Sequence, residues 1–287
     1  MIPFARMLQY GNVVSVINNM GTRTLITPSP SPTARFSFGY TTLGDSAYLY
    51  GGAVVGSDYN NEFWRFDSTT ETWTQLQSGL LSMHGSGLAA YNGKVYMFGG
   101  NTGTTVNRFF IYDIASNTWT ENTTSINPPT ARHHCRFVST GNGKLYLWGS
   151  LNGSELYSYD IASNTWVKLA SSTIQNSLAG DMATDGTNLY CSGTSNQKYN
   201  ISTGTWSTMG ALEGRMTYST IESRLYCVNS ERLYQYSTGL NSWVQVGDNS
   251  AIGISRGALY SFVSSSKVLS AFGSVGSTAN SSQYKFI

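Results

Sequence analysis

The chain has 287 residues and a net charge of +2, from 17 basic and 15 acidic side chains. Charged residues are 11% of the total, well below the roughly 25% of an ordinary globular domain. No Lys/Arg run is present, so the electrostatic footprint of a duplex-binding protein is missing and no nucleic-acid partner is expected.

Long solvated helices would need more Glu, Lys and Ala. The abundant Gly, Ser, Thr, Asn and Tyr suit short strands joined by tight turns. In chain order, residues 1–21 come first and include Phe4, Met7, Leu8, Tyr10, Val13, Val14, Val16 and Ile17. That is too apolar for an ordinary solvated tail. It lacks the basic region and long apolar core of a signal peptide. No stretch of the chain approaches the ~18 apolar residues of a membrane span, so no membrane insertion is expected. The segment reads as an apolar leader that packs on something, and Phe4, Arg6, Met7, Leu8 and Tyr10 are its candidate docking residues.

Beyond the leader the chain repeats. Tyr112-Asp113-Ile114-Ala115-Ser116-Asn117-Thr118-Trp119 recurs letter for letter at Tyr159 to Trp166. Five tryptophans each follow an aromatic by seven residues, at Phe66/Trp73, Tyr112/Trp119, Tyr159/Trp166, Tyr199/Trp206 and Tyr236/Trp243. The turn formers between them predict strand, tight turn, strand, with Asp and Ser side chains closing the turn. Upstream of each pair lies a further strand. In the first two units it ends in Gly-Gly, at Ala47 to Gly52 and Lys94 to Gly100. Terminal glycines suit a place where one backbone closely approaches another. Repeats of this length mean solenoids, propellers or arrays.

A hydrophobic strand ending in Gly-Gly, then a variable loop, Tyr-Asp, a turn and Trp, resembles the kelch repeat over about residues 22–287. The resemblance implies four-stranded blades set radially about a channel. A last unit needs an outermost strand that the C-terminus does not supply. Pro32-Thr33-Ala34-Arg35 matches Pro129-Thr130-Ala131-Arg132, and Trp119 lies thirteen residues before Arg132, so residues 22–27 should complete the last blade. The expectation is an all-β, six-bladed kelch-like propeller over 22–287, closed by an N-terminal strand, with 1–21 as a separate leader. Closure is needed because an open ring exposes strand edges and blade faces.

Candidate sites are few. Arg35, His84, Arg132, Arg215 and Arg256 fall just before or at the start of a unit's first strand, and could ring one channel mouth where an acidic ligand would bind. Structural bonding to blade carbonyls is the favoured alternative, since position in a fold does not establish function. His133 and His134 are adjacent and would point to opposite faces of a strand, so no metal site is expected. Asp181 with Asp185, and Glu213 with Arg215, read as structural groups. Cys135, Cys191 and Cys227 read as buried hydrophobes. Tyr59, Trp64 and Phe109 are weak surface candidates near the loops between second and third strands.

Some kelch-like propellers are copper radical oxidases or a sialic-acid mutarotase. The ligands and Cys-Tyr cofactor of the oxidases are not matched here residue by residue, and the mutarotase likeness is architectural. The reading is therefore a non-catalytic interaction or structural module without cofactor. The leader is similar to the short openings of tailed-phage structural proteins. That likeness and the low surface charge point to a virion accessory protein, docked on a larger assembly through 1–21 and contacting a host surface glycan or protein. The alternatives are an enzyme or lectin for acidic sugars at the channel mouth and a cytoplasmic kelch-type adaptor.

Overall fold

A computed structural model describes residues 24–54, 59–229 and 232–246, with the backbone of strands Ala258–Ser261, Val268–Val275 and Thr278–Phe286 beyond them. The leader residues 1–21, and with them Phe4, Arg6, Met7, Leu8 and Tyr10, lie outside the described residues, as does Arg256.

Every described element is a strand. Five blades are each made of four antiparallel strands in chain order, with a short strand, Ala53–Val54, between the second and third of the first blade pairing instead with Arg35–Phe36. Blade 1 is Gly39–Leu43, Ser46–Tyr50, Phe63–Asp67 and Thr72–Leu76. Blade 2 is Gly87–Tyr91, Lys94–Phe98, Phe109–Asp113 and Thr118–Glu121. Blade 3 is Arg136–Ser139, Lys144–Ser150, Gly153–Asp160 and Thr165–Lys168. Blade 4 is Asp181–Thr184, Asn188–Ser192, Asn196–Asn200 and Thr205–Thr208. Blade 5 is Arg215–Ser219, Arg224–Asn229, Arg232–Ser237 and Ser242–Gln245.

A further four-stranded sheet takes strands from both ends of the described chain. Ala258–Ser261, Val268–Val275 and Thr278–Phe286 are joined by Thr24–Ile26, with Thr24 opposite Lys285, Leu25 opposite Tyr284 and Ile26 opposite Gln283. The first strand of each blade packs beside that of the next from blade 1 to blade 5, and Ala258–Ser261 stands between blades 5 and 1. These first strands form the wall of the central channel.

The octapeptide is a rim hairpin. Tyr112 pairs with Trp119 in blade 2, and Tyr159 pairs with Trp166 in blade 3. The turn is built by local chemistry: Asp113 Oδ1 accepts the Ser116 N–H at 3.0 Å and Asp160 Oδ1 the Ser163 N–H at 2.9 Å. Asn117 and Asn164 both take φ of 54°, a left-handed conformation that Asn tolerates better than most residues.

Each blade buries both faces against its neighbours. Between blades 1 and 2 lie Tyr50, Phe63, Leu88, Met97, Phe110 and Tyr112. Between blades 2 and 3, the Phe109 ring meets Tyr159 at 4.9 Å and Trp166 at 5.2 Å. Trp73 and Trp166 are among the largest fully buried side chains. Indole N–H groups also tie blades together: Trp119 donates to Gln77 O at 3.0 Å, Trp206 to Ala170 O at 2.8 Å and Trp243 to Gly210 O at 2.8 Å. Trp64 and Phe109, expected near the surface, are core residues at 7% and 2% exposure. They stand within the third strands rather than in the loops before them, so their rings face other sheet residues.

The glycines that end second strands let the next blade approach. Gly99 has φ of +68°, and a Cβ there would lie 2.3 Å from Arg132 O. Its neighbour Gly100 donates to that same oxygen at 2.8 Å, as Gly52 does to Met83 O at 2.9 Å. Gly99→Ala is therefore expected to cost about 3 kcal/mol or more in urea unfolding, since strain and a backbone clash add. Gly93→Ala, at φ of +74° with nothing within 4 Å of the added carbon, should cost only about 1 kcal/mol, from strain alone.

Candidate functional site: the polar end of the central channel

Two layers of side chains stand where the first strands begin. The outer layer belongs to the loops leading into the blades. Arg35 is fully buried and donates from Nη1 to Gly51 O at 3.0 Å and to Asn60 Oδ1 at 3.2 Å, from Nε to Thr33 O at 2.9 Å, and from Nη2 to Glu62. Arg132 repeats the arrangement in blade 3, with Gly149 O at 3.3 Å, Thr130 O at 3.0 Å and Glu155 at 3.0 Å. Its guanidinium also lies over the Tyr157 ring at 4.7 Å. Both arginines clamp the bend after the second strand of their own unit, so they do not ring a mouth.

The inner layer lies one step further along, on the first strands themselves. Arg215 belongs here: it donates to Gly180 O at 2.6 Å and Leu178 O at 2.9 Å of the neighbouring blade. Arg136, which the sequence reasoning did not single out, donates from Nε to the same Gly180 O at 2.7 Å. Between them Asp181 is 4% exposed. Its Oδ1 accepts Met182 N–H at 2.9 Å and lies 3.7 Å from Arg136 Nε. Its Oδ2 accepts Met216 N–H at 2.9 Å and the Tyr40 hydroxyl. Tyr40 comes from blade 1 and Asp181 from blade 4, so this bond crosses the channel. Burial, then the Asp181 charge, holds the Tyr40 hydroxyl well above the ordinary phenol range. Asp185, paired with Asp181 in sequence, is elsewhere, closing the Thr187–Asn188 turn and accepting the Tyr190 hydroxyl at 2.7 Å. Glu213 accepts from Ser177, and Arg215 donates to the Gly180 and Leu178 carbonyls.

The three histidines of the chain come together on the loop side of this layer. The His84 ring lies 6.1 Å from His133 and 5.3 Å from His134, and those two are 5.1 Å apart. Tyr59, half-buried, packs on His84 at 4.4 Å. The expectation that His133 and His134 point to opposite faces fails because they precede the strand and His134 has φ of 55°, which breaks the pleat. That conformation is shared by Ser37 and Gly85. These positions link consecutive blades: Gly85 N donates to Ser37 O, and His134 N to Gly85 O, each at 2.6 Å. Among the described residues no group of three or more His, Cys, Asp or Glu is placed to hold a metal ion. Burial pushes His84 down to about 4 and His134 to about 2, with neighbouring positive groups adding to the effect, and lowers His133 as well. The three cysteines are free and buried, and burial raises each thiol.

The four-stranded units, their glycine bends and their Trp hairpins make the molecule a kelch-repeat β-propeller. Comparison with known proteins agrees: the model of the KLHDC2/KLHL20/DRC7 Kelch-repeats domain matches residues 12–150. The chain is similar to alpha-scruin of Limulus polyphemus, 27% identical over 130 residues, which are 42% of this chain and 14% of that protein. It is also similar to the tRNA wybutosine-synthesizing protein 2/3/4 of Arabidopsis thaliana, 32% identical over 83 residues, 28% of this chain and 8% of that protein. The chain thus aligns with only a small part of either relative.

Two outcomes follow from this site. Asp181→Ala leaves buried Arg136 without the carboxylate that faces it and the Met182 and Met216 N–H groups without their acceptor, and is expected to destabilise the fold by about 3–5 kcal/mol in chemical denaturation. Tyr40→Phe, which removes one bond to Asp181, should cost about 1–3 kcal/mol.

The histidines set a pH dependence. Their folded values lie below the ordinary 6.5, so the unfolded chain binds more protons on acidification. Their contribution is fully present above pH 6.5 and is lost as pH falls, through about 4 for His84 and on toward about 2 for His134. The melting temperature should drop across that window. His134→Asn, which tolerates the left-handed backbone, should flatten the drop.

Proposed function

We propose that the protein is a non-catalytic interaction module, a ring of six blades closed by Thr24–Ile26, which binds a protein partner through the loop face around His84. The observation that carries this reading is the Tyr59, His84 and His133 cluster. It brings partly exposed rings from three loops together on the face where the loops between second and third strands lie. Aromatic anchors at the middle of a patch are what interface energetics favour. The kelch-repeat match supports a protein-binding role, and the partner's identity stays with the experiment.

The finer reading is a virion accessory protein docked through residues 1–21, with Phe4, Arg6, Met7, Leu8 and Tyr10 at the contact. It rests on the leader's apolar composition, its likeness to the openings of tailed-phage structural proteins and the low surface charge, and the matched relatives lend it no support. Two variants separate these surfaces. Tyr59→Ala with His133→Ala should abolish proximity labelling of a specific partner in the native host while leaving the melting temperature within a few degrees of wild type. Deletion of residues 2–21 should leave that labelling intact and abolish incorporation into a larger assembly. Unchanged labelling by the double variant removes the face reading, and unchanged assembly by the deletion removes the docking leader.

A further inference from the structure

The channel enclosed by the first strands of blades 1 to 5 holds a cavity of about 290 Å³. That is near the lower end of the range used for small-molecule pockets, about 300–1,000 Å³. One end reaches the turns between first and second strands, where Gly44, Gly141 and Thr220 line it. At the other end stand the Tyr40–Asp181 bond and Arg136. The wall between is mainly apolar, with Phe38, Leu88, Phe137 and Met182 each at most 4% exposed.

The polar end is short of acceptors. Arg136 is 7% exposed, and its Nη2 has no hydrogen-bond partner among the described residues. Ser86 also lines the cavity, is 3% exposed, and its Oγ has no partner either. Asp181 does not supply the missing acceptor. Both of its oxygens already take backbone N–H groups, one also takes the Tyr40 hydroxyl, and Arg136 reaches it only at 3.7 Å. Arg136 and Arg215 instead crowd onto a single carbonyl, Gly180 O. A buried cation with an unused donor is costly unless something accepts from it, and a carboxylate is the acceptor that matches a guanidinium best.

We propose that the central cavity binds a small organic monocarboxylate, its carboxylate taken by Arg136 with Ser86 as a second donor, and its apolar body against Phe38, Leu88, Phe137 and Met182. The ligand enters from the side of the first-to-second-strand turns, opposite the loop face of the protein partner. It supplies the acceptor that Arg136 Nη2 lacks and fills space that the side chains leave open.

Benzoate and acetate titrated into the full chain test this, read by the methyl resonances of Met182 and Met216, which both line the cavity. Benzoate should shift both methyls saturably and more tightly than acetate, because it adds apolar contact. Arg136→Lys should weaken benzoate about tenfold or more, since an ammonium lacks the planar donor fork, and Ser86→Ala should weaken it severalfold. Absence of a saturable shift in the wild-type protein overturns the proposal, and that measurement needs no variant to fold. Equal benzoate affinity in a folded Arg136→Lys protein also overturns it. A response to chloride as large as that to benzoate overturns the assignment to an organic acid.

Discussion

A kelch blade is a small sheet with two apolar faces, and neither face can be covered from within the blade. Stacking blade on blade around an axis resolves this, and most of the large side chains are committed to it. Phe109 sits against Tyr159 and Trp166 of the following blade, and Phe63 against Tyr112 and Trp119 of its own follower. The tight approach this requires explains the glycine bends. At Gly51 and Gly99 a carbonyl of the next unit occupies the space a side chain would need. The indole N–H bonds from Trp119, Trp206 and Trp243 add direction to an otherwise non-directional packing.

Radial stacking has an electrostatic consequence at the axis. First strands converge there, so polar residues at their starts are withdrawn from water and must find partners among other blades. Asp181 does so with Tyr40 from across the channel and with backbone from its own and the next blade. Arg136 and Arg215 do so through Gly180 O. The result is a polar cluster at one end of the channel and an apolar cavity behind it. Burial lowers the proton affinity of the nearby imidazoles, and a proton on His134 would in addition face Arg136, Arg215 and the other two histidines.

The two matched relatives share only a segment with this chain.

Much of the architecture was legible in the sequence because its determinants are local. The Tyr-to-Trp spacing specifies a hairpin, Asp113 and Ser116 close its turn, and the bend glycines mark where backbones meet. Counting from Arg35 pointed to residues 22–27, and Thr24–Ile26 is the stretch that pairs with Gln283–Lys285, since strand pairing follows register along the repeat. The site was far less legible. Arg35, Arg132 and Arg215 look alike in the sequence, yet two clamp bends and one reaches into the axis, and Arg136 went unnoticed beside them. Three histidines from two units meet only because left-handed backbone at Ser37, Gly85 and His134 turns each unit toward the next. The sequence alone thus determined a β repeat, its hairpins and its bends, through short-range turn chemistry and periodic apolar residues. Only the tertiary structure decided which polar groups face one another, because residues 141 apart, such as Tyr40 and Asp181, become neighbours only after the inner strands are gathered around one axis.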